Sequence, residues 1–302
     1  MQAGAPPEGA RMVHPPSSAF PDATGDAMPW TPGAADPGRP PEPHERPPGW
    51  ILFGTDAGRA IGGAGLSAAG RAILRAAPRG DGHPVFVLPG LGVGDASTVV
   101  VRRTLRRLGY QPHGWQLGTN HGPTGEVLER VPARLAELHE RYGQRVSVLG
   151  WSLGGIYAHS TARMHPDLVR QVITLGSPIR MSHPAQTRAM HYYKRYAHRH
   201  VPDHLLPASE LVQPPLPVPA TSILSTWDGI VSWRACLHEP GDRRENIAVA
   251  SSHFGLGQHP AVLWAVADRL AQPEGTWQPF RAPTVLAPLF PALREAGIPR
   301  LR

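Results

Sequence analysis

A short apolar run beginning at Val146 ends in Gly150-Trp151-Ser152-Leu153-Gly154, and an alanine-rich helical pattern follows. A serine hydroxyl is a weak nucleophile at its free pKa. It becomes useful when a sharp strand-to-helix turn lifts it towards a base. Only small residues fit beside such a turn, and Gly150 and Gly154 stand two positions either side of Ser152. The helix beginning at Leu153 would aim its first N–H groups and its dipole at an oxyanion forming on the attacked carbonyl. The chemistry in prospect is acyl transfer. Leu175-Gly176-Ser177-Pro178 is the contrasting case, because Pro178 would break any helix there and no elbow can form.

The elbow needs a base, an acid behind the base, and donors for the oxyanion. With 16 histidines in the chain, position has to choose among them. In hydrolases built around this turn the acid follows a late strand, and the histidine lies in the loop after the final strand and before the last helix. Asp228 lies just beyond the strand ending at Ser225, and His253 follows the strand 246–250. His253 would take the Ser152 proton and return it to the leaving group, while Asp228 holds the imidazole tautomer. Asp242, Glu239 and Glu245 are weaker acid candidates, since they do not follow a strand end. The amide of Leu153 supplies one oxyanion donor. Leu91, in the glycine-bearing loop Pro89-Gly90-Leu91-Gly92, supplies the other.

These residues need a rigid frame. Val85-Phe-Val-Leu88 reads as a fully buried strand, followed by a helix running to Gly109. A strand at 111–115, a helix at about 124–142, the elbow strand with its helix to His165, and a strand at 172–175 continue the alternation. Repeated strand and helix pairs predict a mostly parallel, doubly wound α/β sheet. Residues 49–79 read as one lead-in helix rich in small residues, interrupted by Asp56 and Arg59. The alternation lapses over about 180–220, where Met181, Met190, Tyr192, Tyr193 and Tyr196 suggest a helical cap over the site. It resumes with strands at 221–225 and 246–250 and a helix at 260–270. Residues 273–302 hold several prolines and an apolar stretch at 285–293 expected to pack back on the domain.

Taken together, Pro89-Gly90-Leu91-Gly92, Gly150-Trp-Ser-Leu-Gly154, Asp228 and Ser252-His253-Phe-Gly-Leu-Gly257 resemble the α/β-hydrolase superfamily, and most of all its bacterial lipase-like serine esterases. The resemblance covers about residues 80–272 and includes Leu117-Gly-Thr-Asn120. It implies an α/β-hydrolase fold with a helical cap, catalytic Ser152, Asp228 and His253, no cofactor, and hydrolysis of carboxylic esters with lipophilic acyl groups. Trp151, Tyr192 and Tyr193 are the expected substrate-binding residues. Many lipases carry His-Gly where this chain has Pro89-Gly90, which weakens the likeness to lipases more than the likeness to hydrolases. An acyltransferase or a thioesterase would use the same triad, and a silent scaffold could keep the fold without the chemistry.

Composition sets the outer bounds. Thirteen of the 36 prolines fall within residues 1–48, where no hydrophobic periodicity exists, so this segment reads as a disordered tail before a single domain at 49–302. No secretory signal or membrane span is evident and Cys236 is the lone cysteine, which together favour a soluble, cytoplasmic protein. The net charge of +7 is almost wholly arginine, Lys194 being the only lysine, in a chain rich in Ala, Gly and Pro. Arg102, Arg103, Arg106 and Arg107 have the spacing of a solvated helix face and lack interleaved aromatics, so no nucleic-acid partner is expected. Peripheral contact with an anionic lipid surface stays open, as does the oligomeric state. His198, His200, Asp203 and His204 approach metal-ligand spacing, but Pro202 interrupts the helix they would need, and no metal is expected.

Overall fold

The computed structural model describes residues 40–63, 68–207 and 209–293. Among the described residues six strands form one sheet: β1 (Pro84–Leu88), β2 (Gln111–Gly114), β3 (Val146–Trp151), β4 (Val169–Leu175), β5 (Ala220–Leu224) and β6 (Arg244–Ala248). Every pairing is parallel and the order is β2-β1-β3-β4-β5-β6. The chain therefore winds from β1 to one side, then returns and winds to the other. The boundary between β1 and β3 is where a doubly wound sheet opens a crevice at its carboxyl edge.

Burial on both faces explains why the central strands read as continuous apolar runs. Val85, Val87, Leu149, Ile173 and Ile223 face a layer containing α2 (Ala68–Arg75), α3 (Val99–Arg107) and α7 (Pro260–Leu270). Phe86, Leu88, Val148 and Val172 face α4 (Gly125–Tyr142) and α5 (Leu153–Met164). The ends of α4 are written in its sequence. Thr124 accepts from the Val127 amide at 3.3 Å as N-cap, and Gly143 ends the helix at φ 61°. Among the described residues no helix is long and apolar enough to cross a membrane.

Within 49–79 the described residues hold α1 (Trp50–Gly63) and α2, and residues 64–67, where the single helix expected there would run on, lie outside the described residues. Of the tail expected at 1–48, residues 1–39 lie outside the described residues, whereas 40–48 pack on the body. There Glu45 is buried and accepts from the Ser182 hydroxyl, and the Pro48 carbonyl accepts two bonds from Arg188. Proline-rich composition hid this because side-chain and carbonyl acceptors, without an apolar pattern, make the contact. The segment after α7 does return to the domain: Phe280 and Phe290 pack edge to face with each other and with Trp264.

The insert between β4 and β5 contains α6 (Met190–Arg195) and several short 3-10 turns. Backbone bonds tie its first part to the loop after β5, with the Arg188 amide on the Ile230 carbonyl and the Ser232 amide on the Gln186 carbonyl. Its return is fixed to α5 through Glu210, which pairs with Arg163 at 2.5 Å and lies 3.2 Å from His159 Nδ1. Burial alone would raise the Glu210 carboxyl, but His159 and Arg163 outweigh it and hold the group down at about 2. Stability from this ionised carboxylate is full above its unfolded value near 4.5 and is lost as pH falls through about 2. Glu210→Gln should lower stability by roughly 1–3 kcal/mol at neutral pH. Denaturant titrations should show the gap between wild type and variant closing as pH falls below 4.5.

Candidate active site

Ser152 stands at the carboxyl end of β3 with φ 53° and ψ −121°, a left-handed conformation costly for any residue with a Cβ. Its amide donates to the Leu175 carbonyl of the neighbouring strand at 2.9 Å, which fixes the turn to the sheet. The glycines around it are sterically required. A Cβ on Gly154 would sit 2.5 Å from the Leu88 carbonyl oxygen, and one on Gly150 would collide with the backbone of Gly154 and Gly155. α5 can therefore pass directly under β1 and β3, delivering the Ser152 side chain to the crevice between them.

The other two predicted groups arrive on loops from the far side of the sheet. Asp228 and His253 are both buried, and His253 Nδ1–H donates to Asp228 Oδ2 at 2.6 Å. The second carboxylate oxygen accepts the amides of Ile230 and Val231 at 2.8 and 2.7 Å, so the carboxylate plane is set by its own loop. An ionised carboxylate only accepts, so this contact places the neutral imidazole's proton on Nδ1 and leaves Nε2 to accept. Burial alone would lower the His253 pKa, but the charge and hydrogen bond of Asp228, with a smaller contribution from the Asp56 charge, leave it raised. The Ser225 hydroxyl joins the two loops, donating to the Ser251 carbonyl at 2.6 Å and accepting from the Trp227 amide.

The link from this pair to the elbow runs through Gly176. It follows Leu175, the acceptor of the Ser152 amide, and has φ 56°. A Cβ there would lie 3.1 Å from Asp228 Oδ2 and 3.2 Å from His253 Nδ1. Ser177, whose proline-bounded stretch served as the contrasting serine, is buried beneath the elbow helix against Gly155. No hydrogen bond yet joins the Ser152 hydroxyl to the imidazole among the described residues, a contact that commonly tightens when substrate is bound.

Leu91 and Leu153 line the same cleft as Ser152. The Gly92 amide is already committed to the Asn120 carbonyl at 2.7 Å, whereas the amides of Leu91 and Leu153 have no backbone acceptor among the described residues. Asn120 is fully buried and clamps the loop, donating from Nδ2 to the Pro89 carbonyl at 3.0 Å and accepting from the Gly122 amide through Oδ1. The sequence placed Asn120 near the site. Its role in shaping the loop depends on contacts 31 residues apart.

The cleft is open to solvent on one side and is lined by Leu91, Pro178, Thr187, Ala189, Met190, Tyr193 and Val231 around Ser152 and Leu153. Of the expected substrate contacts, Tyr193 is in the lining. Tyr192 packs over the Pro89–Gly92 loop, where a Cβ on Gly92 would be 3.1 Å from its ring. Trp151 is not in the lining: it belongs to the core layer beneath, against Gly257, with its ring centroid 6.4 Å from that of His253. It faces away because side chains alternate along β3 and Ser152 begins the turn.

Other chemistry-bearing residues are accounted for elsewhere. His198 and Asp203 fall in separate 3-10 turns, and His200 Nε2 is bonded to the His121 carbonyl at 2.8 Å. The Cys236 thiol is buried and pushed well up by burial. At the opposite edge of the sheet, His83 Nδ1 lies 2.5 Å from Asp81 Oδ1, and its Nε2 lies 2.9 Å from Ser147 Oγ. These three residue types match those of the cleft, but His83 and Ser147 are completely enclosed and Ser147 is an ordinary strand residue.

The α/β-hydrolase fold follows from the sheet order, the elbow after β3 and the two late loops that meet it. No family model and no curated protein matches the sequence. Among solved structures, the chain is similar to the monoacylglycerol lipase of Paleococcus ferrophilus at 16% identity, covering 64% of this chain and 96% of that one, with a TM-score of 0.44. It is also similar to lipase B of Aspergillus fumigatus at 18% identity, over 63% and 53% of the two chains, with a TM-score of 0.47. An extracellular α/β-hydrolase from a Paenibacillus species matches at 12% identity over 62% and 98%, with a TM-score of 0.41.

A group that must accept a proton works only when neutral, and the raised pKa of His253 sets the expected pH response. The acid limb of any serine-dependent reaction at this site should lie above 6.5, with activity rising as pH rises through it. Asp228→Asn should move the limb to lower pH and cut the rate by roughly a thousandfold or more. A pH–rate profile of the two proteins measures both effects.

Proposed function

We propose that the protein is a serine carboxylic ester hydrolase that works through an acyl-enzyme on Ser152. The observation that carries this reading is the strained Ser152 turn near a closed His253–Asp228 pair, at a cleft lined also by Leu91 and Leu153, whose amides are uncommitted. A serine elsewhere in a sheet has no use for φ 53°.

In this mechanism the ester carbonyl enters the cleft with its oxygen towards the amides of Leu91 and Leu153. Ser152 Oγ attacks the carbonyl carbon as its proton passes to His253 Nε2, and the oxyanion is met by the two N–H donors and the start of α5. Asp228 stabilises the imidazolium through Nδ1–H. The imidazolium then gives its proton to the alkoxide oxygen as the C–O bond breaks, releasing the alcohol. Water repeats the sequence on the acyl-enzyme and frees the acid. The residues lining the cleft are apolar apart from the Thr187, Tyr193 and Ser152 hydroxyls, which suits a lipophilic acyl group and offers nothing to an anionic one.

Labelling with a fluorophosphonate, followed by peptide mass spectrometry, should place the adduct on Ser152 and lose it in Ser152→Ala and His253→Ala. The same variants should lower turnover of nitrophenyl esters by about a thousandfold or more. A folded wild-type protein that neither labels nor turns over any ester of a chain-length series would overturn the proposal. Product analysis with an added alcohol distinguishes release to water from transfer to another acceptor.

A further inference from the structure

Asp56 read in the sequence as a charge interrupting a helix of small residues. In the structure its side chain is buried, with 1% of its surface exposed, although α1 lies outside the sheet and contributes nothing to the lining of the cleft. Such a carboxylate must be satisfied to be tolerated. Its partners are two backbone segments. Oδ2 accepts the Gly229 amide at 2.8 Å and the His253 amide at 3.0 Å, and Oδ1 accepts the Phe254 amide at 3.0 Å. Gly229 directly follows Asp228, and the second amide is that of His253 itself.

Helix α1 reinforces the same two loops at other points. Arg59 lies 3.4 Å from Asp56 Oδ2, donates to the Trp227 carbonyl at 2.8 Å and also reaches the Leu52 carbonyl. Gln258 donates to the Ala60 carbonyl at 3.3 Å. Gly229 is required for this approach, since a Cβ there would collide with the Leu52 carbonyl and stand 2.9 Å from Asp56 Oδ2.

Resting on the hydrolase reading above, we infer that Asp56 is a positioning residue that locks the Asp228 and His253 loops to each other from outside the sheet. The two loops leave different strands and carry the 2.6 Å contact between imidazole and carboxylate at their tips. A single carboxylate gripping the amide beside Asp228 and the amide of His253 fixes their separation. It also places a second negative charge behind the imidazole. The charged groups facing that ring are then Asp228 and Asp56, with the Arg59 guanidinium partly offsetting the latter.

Asp56→Asn keeps the size of the side chain but leaves one oxygen to serve three amides. Turnover of a soluble nitrophenyl ester should show kcat reduced by about tenfold to a hundredfold with KM within about twofold, because the geometry of proton transfer changes and the cleft does not. The acid limb of the pH profile should move to lower pH, a shift that a merely structural role would not produce. Unchanged kcat and an unchanged acid limb in the folded variant would overturn the inference. Amide exchange on the wild-type protein gives a test that needs no variant: the amides of Gly229, His253 and Phe254 should be among the slowly exchanging ones, and rapid exchange there would also overturn it. A wild-type protein with no Ser152 adduct and no ester turnover, yet with those amides protected, would instead remove the hydrolase reading and leave Asp56 as a clamp on the fold.

Discussion

The strained turn at Ser152 is the constraint on which the remaining structure depends. Holding a residue with a side chain at φ 53° costs about 1–3 kcal/mol, and the chain has to supply that from elsewhere. It does so with one backbone bond to the Leu175 carbonyl and with close packing of α5 against β1 and β3. Gly150, Gly154 and Gly155 are consequences of that packing. The buried Ser177 follows too, because the space under Gly155 admits a small side chain and little else. A sheet of six parallel strands, covered on both faces, is stiff enough to keep the strain from relaxing.

The site then divides into a fixed floor and a shaped roof. The floor is built at the β1–β3 boundary, where the winding of the sheet reverses and the Pro89–Gly92 loop and the elbow face one another. Asn120 secures one side of it through the Pro89 carbonyl, and Asp56 secures the other through the late loops. The roof comes from the 180–220 insert, whose Ala189, Met190 and Tyr193 line one side of the cleft. Backbone bonds and the Glu210–Arg163 pair tie it to the Asp228 loop and to α5, the same pieces that carry the candidate reacting groups.

Legibility in the sequence followed the range of the interaction. The elbow is a local pattern of strand, turn and helix within a dozen residues, and it stood out. The pairing of Asp228 with His253 could be anticipated because their places relative to late strands are fixed by chain order. The insert showed itself as a lapse in alternation. Asp56 left no such trace: its partners are backbone amides 173 to 198 residues away, and a backbone amide has no residue type to read. The packing of residues 40–48 was hidden for the same reason, since Glu45 and the Pro48 carbonyl bind across more than 130 residues. Trp151 adjoins Ser152 in sequence yet serves the core, because the pleat sends its side chain to the opposite face.

The Asp81–His83–Ser147 chain at the other edge of the sheet has a consequence for how such sites are recognised. It has a closer serine–imidazole contact than the cleft does, and by residue types and hydrogen bonds alone it would be taken as the better relay. Yet Ser147 lies flat in a strand, closed off from any ester, and burial lowers the His83 pKa. One protein thus carries the same three side chains twice, once as mortar and once at a threshold. What separates the two is which edge of the sheet the strands leave by, and so whether a molecule from outside can ever reach the oxygen.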